Sequence, residues 1–308
     1  MSFNISIIGA LVPVFAVILS GYGLRRIGFP GDSFWSHAER LTYFFLFPAL
    51  FFQKTASASL ELQSFALMAA SLATAVLIMT VLLFLFLPWW SSGKASFTSF
   101  FQGSIRFNTY VGLAAAFAMF GSEGVRVAAL CMAVLIPLLN VICVSVLVGF
   151  GRTESANGRR VALEVIRNPL VLACTSGLLL NMSGIGLHHL IDDILLLFSS
   201  AALPLGLLSV GAGLSFSAAR VTGTVVSVSS ALKLMVFPFI TWMTFKAFNI
   251  EGLSMTIAVL FAALPGSPAA YILAKQLGGD DLLMASIIAV QTPLAMVTLP
   301  VVMAMLIA

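Results

Sequence analysis

The chain has 308 residues, is 60% hydrophobic and only 8% charged, and has a mean hydropathy of +1.10. That composition excludes an ordinary soluble globular domain and belongs to the membrane class. The net charge of +4 is carried by basic residues dispersed at the ends of apolar segments, which excludes a nucleic-acid-binding face.

Apolar stretches near or above the roughly 18 residues needed to span a bilayer recur from end to end. The pattern predicts ten spans. Helix 1 is expected at about 3–24, helix 2 at about 35–56 and helix 3 at about 62–90. Helix 4 is expected at about 96–120 and helix 5 at about 122–150. Helices 6 to 10 follow at about 161–182, 188–216, 221–247, 252–277 and 281–307. The first stretch has no basic residue before it, is followed by Arg25 and Arg26, and is too long for a signal core, so it reads as a span and not a cleavable leader. The longest polar stretch, Gly151–Arg160, leaves no room for a soluble domain. Trp89 and Trp90 fit an interfacial belt at the end of helix 3.

A repeat runs through these elements. Pro13 and Pro169 are 156 residues apart, and so are Gly21 and Gly177, Pro48 and Pro204, and Pro137 and Pro293. The chain therefore divides into two halves, residues 1–150 and 157–308, of five helices each. An odd number of spans per half inverts one half relative to the other, and the substrate site of such transporters lies at mid-membrane where the halves meet. The expected fold class is thus an all-α polytopic membrane protein of ten transmembrane helices in two inverted five-helix repeats. One set of helix ends and loops carries Arg25, Arg26, Arg40, Lys94, Arg152, Arg159, Arg160, Arg167, Arg220 and Lys275, and the other only Lys54, Arg126 and Lys246. The first set is expected to be cytoplasmic, which puts both termini outside. Glu61, Glu123, Asp192, Asp193 and Glu251 fall on the outer side.

Helices 4 and 9 are interrupted at equivalent places. Helix 4 carries Arg106, Asn108, Thr109 and Gly112 at its middle; helix 9 carries Pro265, Gly266, Ser267 and Pro268. The repeat offset sets Asn108 against Leu264 and Gly112 against Pro268, so both breaks fall at one depth. Two prolines three residues apart remove donors and clash with the preceding turn, and unwound backbone is tolerated there only inside protein or beside a cavity. Half-helix N-termini at such a cavity suit an anion, especially a carboxylate. Pro-interrupted helices also occur merely as kinks.

Two cations lie deep. Arg106 is near the centre of helix 4 and Lys233 at the centre of helix 8, while no Asp or Glu lies mid-span. Their partners are either backbone carbonyls freed by the breaks or an anionic substrate; for Lys233 the structural role is preferred. The missing acids argue against a relay of intramembrane carboxylates. Asn140 follows Pro137 in helix 5 and Gln291 precedes Pro293 in helix 10, and each either ties helices together or lines the cavity. The candidate substrate-binding set is therefore Arg106, Asn108, Thr109, Asn140, Pro265, Gly266, Ser267 and Gln291. Cys131, Cys143 and Cys174 lie in apolar segments and read as small buried hydrophobes. His37, His188 and His189 sit near span ends with no ligand constellation, so no metal or cofactor is expected.

These residues also carry a resemblance. The segments VFAVILSGYGLRRIGF, LTYFFLFPALFFQKTA, SIRFNTYVGLAAAF, RNPLVLACTSGLLL, LPLGLLSVGAGLSF and LFAALPGSPAAYILAKQLGGD resemble the auxin efflux carrier family in its bacterial permease branch. The resemblance implies a scaffold of helices 1, 2, 6 and 7 and a transport unit of helices 3–5 and 8–10. It implies that broken helices 4 and 9 cross, that substrate binds beside the crossing, and that an elevator-like movement carries it. It matches Asn108 and Pro265 to the family's asparagine and proline at the two breaks. It further implies a homodimer through the scaffold. The chain lacks the long central loop of plant members and carries Arg106 before the asparagine, which points away from auxin and toward small mono- or dicarboxylates. The expected function is a secondary transporter of small organic anions in a bacterial inner membrane, not an enzyme, with lipid and the anion as partners. A sodium-coupled symporter of the bile-acid type and an anion channel are the alternatives.

Overall fold

Most segments are apolar on every side and form long helices, several with proline inside them, at Pro13, Pro137, Pro204, Pro293 and Pro300. The computed structural model describes residues 2–58, 62–151, 167–214 and 223–307, and these are helical with no strand among them. Helix α1 is Ser2–Arg26. Helix α2 spans 32–56 as two α segments, Asp32–Leu41 and Phe47–Ala56, joined by a π turn at Thr42–Leu46. The wide turn precedes Pro48 and absorbs its missing donor and its ring. Helix α8, Thr224–Ala247, repeats the device with a π turn at Leu232–Val236 ahead of Pro238.

Helix α3 is Leu62–Phe84, followed by a 3₁₀ turn at Leu87–Trp89. Helix α4 is in two pieces, α4a (Lys94–Ile105) and α4b (109–120); α5 covers 122–150. The chain turns between α4b and α5 at Gly121, whose φ of 60° and ψ of −148° suit a residue without a Cβ. Helix α6 is Pro169–Met182 and α7 is His189–Gly213. Helix α9 is split into α9a (Leu253–Ala262) and α9b (Pro268–Leu277), and α10 is Asp281–Ile307. The expected helix edges at 161, 216 and 221 lie outside the described residues, as do Glu61, Arg152, Arg159, Arg160 and Arg220.

Among the described residues, five helical runs are long and apolar enough to cross a bilayer: Gln63–Trp89, Lys94–Phe150, His189–Gly213, Thr224–Ala247 and Asp281–Leu306. Pro169–Met182 and Leu253–Ala262 are apolar but shorter. The tightest packing is glycine against backbone. A side chain at Gly21 of α1 would strike the Leu208 carbonyl of α7, and one at Gly177 of α6 would strike the Phe52 carbonyl of α2. Gly21 and Gly177 are 156 residues apart, and so are Phe52 and Leu208. One contact is thus made twice, at the repeat's own offset. Polar ties reinforce this group of helices. Gln53 Nε2 donates to Asp192 Oδ1 (2.7 Å), Asn181 Nδ2 to Ala56 O (2.8 Å) and Arg25 Nη1 to Ala212 O (2.6 Å).

The broken helices occupy the interior. Residues Ala95–Ile105 of α4a and Met255–Ala262 of α9a are buried, enclosed by α3, α5, α8 and α10.

Candidate functional site

The two breaks meet. After Ile105 the backbone extends through Arg106 (φ −74°, ψ 148°) and restarts as helix behind Asn108, whose Oδ1 accepts from the Tyr110 and Val111 amides at 3.1 and 3.3 Å. Behind the second break Ser267 plays the same part, its Oγ accepting from Ala269 N (3.2 Å), with Pro268 at the first helical position. Ser267 stands three residues beyond the position the repeat offset assigns to Asn108. The second break begins one residue later and is two residues longer, 263–267 against 106–108.

Asn108 N donates to Pro265 O at 2.9 Å, so backbone joins backbone at the crossing. Gln291 of α10, fully buried, makes the second tie: its Oε1 accepts from Gly266 N (2.8 Å) and its Nε2 donates to Gly103 O (2.9 Å). One side chain therefore serves a donor in one break and an end-of-helix carbonyl beside the other, both groups that helix bonding leaves unpaired. Gly112 permits the close approach: a Cβ there would lie 2.6 Å from Leu264 Cδ1 and 2.7 Å from Phe261 Cε1.

Beside the crossing lies a cavity of about 440 Å³, within the usual range for small-molecule sites. The first turns of three helices reach it: Thr109 and Tyr110 of α4b, Ala269 of α9b behind Ser267, and Leu170 of α6 behind Asn168. Asn168 caps α6 by accepting from Leu170 N (2.9 Å) and Val171 N (3.3 Å), and its Nδ2 donates to Tyr43 Oη (3.2 Å). Each helix N-terminus carries about half a positive charge. The guanidinium of Arg106 adds a full one. Its Nη2 donates to Asn140 Oδ1 at 2.8 Å, while its Nη1 is buried and has no partner among the described residues. One turn earlier on α4a, the amide of Gln102 is likewise buried with neither atom paired among the described residues. The cavity walls come from the halves of α2, α5, α6 and α9b that adjoin the Lys/Arg-rich connections, and Arg40 is itself part of the wall.

The eight residues singled out in the sequence thus fall into two groups. Arg106, Thr109, Asn140 and Ser267 line the cavity. Asn108, Pro265, Gly266 and Gln291 stand behind it and hold the crossing together; Asn108 is 1% exposed and Gln291 0%. Lys233 is placed elsewhere. Its Nζ donates to Ala262 O at 2.6 Å and lies 4.9 Å from the Phe237 ring centre. Ala262 ends α9a, so the Lys233 amine meets a helix C-terminus, where helix bonding leaves carbonyls free. Sequence reading missed the contribution of α2 and α6: Glu39, Arg40, Tyr43 and Asn168. Asn168–Pro169 was a legible helix start, but nothing in linear sequence shows that this start faces the breaks.

A bundle of apolar helices with a cavity beside two broken helices that meet fits a membrane transport protein. The family described as membrane transport protein, that of the auxin efflux carriers, matches residues 6–303, and the chain belongs to it. The chain is also similar to an uncharacterized transporter of Methanothermobacter thermautotrophicus, 28% identical over 147 residues, or 48% of each chain. That match therefore spans about half the length of the relative.

Proposed function

We propose that this protein is a secondary carrier of small organic anions, mono- or dicarboxylates. The observation that carries the reading is the convergence of the α4b and α9b N-termini with the half-paired Arg106 guanidinium on one cavity. Thr109 N–H is a first-turn donor without an intrahelical partner, and Ser267 lines the same cavity. A carboxylate fits these donors, and the unpaired Nη1 offers the second prong of a planar guanidinium contact. Asn140 holds the first prong in place.

The membrane arrangement belongs to the same reading. Ten spans form two inverted five-helix repeats, and the doubled glycine contact at Gly21–Leu208 and Gly177–Phe52 supports it. Helices α1, α2, α6 and α7 are the scaffold and the site of homodimer contact. Helices α3–α5 and α8–α10 are the moving unit, carrying the anion elevator-fashion between the two sides of a bacterial inner membrane. With the Lys/Arg-rich ends cytoplasmic, the termini face outward and the cavity opens inward.

A thermal-shift screen of purified protein against mono- and dicarboxylates tests the reading, since a ligand of the folded state raises its stability. At least one small carboxylate is expected to raise the melting temperature of wild type but not of Arg106→Gln. Saturable uptake and counterflow of that anion in liposomes then separate a carrier from a channel. An absence of any shift across the series refutes it.

A further inference from the structure

Among the described residues that line the cavity, Glu39 is the single carboxylate. It sits on the first segment of α2, half-buried, and takes part in none of the ion pairs found among the described residues, which are Arg25–Asp32, Arg126–Glu123 and Lys246–Glu251. Its placement opposes everything else there. Three helix N-termini and Arg106 raise the potential in the cavity, and an ionised Glu39 lowers it and repels an incoming anion. A protonated Glu39 does neither and gains an O–H donor.

The other groups facing the cavity leave the role to Glu39. Arg40 and Tyr43 share its helix, and Arg106 and Tyr110 face it from the first break; guanidinium and phenol keep their protons at physiological pH. From α5, α6 and α9b come only the neutral Asn140, Asn168, Ser267 and Gln276. Helix α7 also packs on α2; its titratable side chains, His189, Asp192 and Asp193, lie at its start, where Asp192 is held by Gln53 near the far end of α2 from Glu39.

We propose that Glu39 is a proton-binding site coupled to anion binding, so that each organic anion enters the cavity together with one proton. The inference rests on the carboxylate-carrier reading. A negative charge in the cavity raises the proton affinity of Glu39, and by linkage a proton on Glu39 raises anion affinity by the same factor. Affinity therefore rises as pH falls. A monocarboxylate carried with its proton moves no net charge, so the proton gradient and not the membrane potential drives it.

The test is calorimetric titration of purified full-length protein with pyruvate and with oxalate between pH 6 and 8, where both probes stay fully ionised. Runs in buffers of differing ionisation heat count the protons taken up. Wild type is expected to bind about tenfold more tightly at the lower pH, taking up as much as one proton per anion at the upper end. Glu39→Gln should bind with one affinity throughout and take up no proton, and Glu39→Asp, which still titrates, should keep the pH dependence. Melting temperatures of the unliganded variants show that both fold. Pyruvate or oxalate binding in wild type without proton uptake, or proton uptake that survives in Glu39→Gln, overturns the proposal and leaves the carrier reading standing. If neither probe binds wild type at any pH, the small-carboxylate reading falls, and this inference with it.

Discussion

Gln291 is the most exacting place to test how the crossing is held. Gln291→Met keeps the volume and the unbranched shape but removes both hydrogen bonds, to Gly266 N and to Gly103 O. Neither backbone group has a helical alternative: Gly266 lies within the second break, and Gly103 belongs to the last turn of α4a. Leaving a buried polar group unpaired costs about 1–3 kcal/mol, so the two together cost about 2–6 kcal/mol. Interhelical hydrogen bonds in membranes average only about 0.6 kcal/mol where the loosened state finds other partners. The enclosed position of both groups argues for the larger figure. At about 2 °C or more per kcal/mol, the melting temperature in detergent should fall by roughly 5 °C or more. Asn108→Ala is the internal comparison. It removes a cap worth about 0.5–2 kcal/mol but keeps the backbone bond to Pro265 O, so its fall should be smaller. If Gln291→Met melts within about 1 °C of wild type, the amide is not what joins the breaks.

Arg106→Lys keeps the charge but not the two-pronged geometry; the loss of a charge-assisted bond is worth about 1.5–3 kcal/mol, so calorimetry should show carboxylate affinity falling by about ten- to a hundredfold, with Arg106→Gln weaker still. Gly21→Val and Gly177→Val each drive a branched side chain into a facing carbonyl, so size-exclusion chromatography should show loss of the folded peak for both, whereas Gly9→Val, with nothing within 4 Å of its Cβ position, should elute as wild type. With Cys131, Cys143 and Cys174 replaced by alanine, a cysteine at Thr109 or Ser267 should react with a small water-soluble thiol reagent and be protected by the bound anion. A cysteine at Gln291 should stay unreactive because that position is fully buried.

Local chemistry made the breaks legible. Pro265 and Pro268, three residues apart around a glycine, disfavour a continuous helix, and an asparagine at position 108 invites a cap. Two misses have plain causes. Leu264 is not the counterpart of Asn108, because the second break takes two more residues and offset counting assumes equal lengths. Glu39 was passed over because no acid lies mid-span; only the approach of α2 to Arg106 and Tyr110 brings it onto a cavity wall. The division of labour among the eight candidates was hidden for the same reason. Residues 106, 107 and 109 touch the cavity while the side chain of 108 is buried capping α4b, a difference that leaves no mark in composition. Lys233 donates to a carbonyl at the end of α9a, the kind of acceptor that sequence reading named for it.

The interleaving of cavity-facing and crossing-holding residues bears on how such a protein changes its cargo over generations. In each break a residue that meets the cavity, Thr109 or Ser267, is adjacent in sequence to one that anchors the crossing, Asn108 or Gly266. A substitution that reshapes one disturbs the backbone of the other. The walls carry no such burden at Ser36 of α2 or at Ile272 and Gln276 of α9b, which touch the cavity from regular helix. New selectivity is therefore most accessible through those wall positions, with the crossing inherited unchanged. Laboratory selection for a new substrate should accumulate its changes there first.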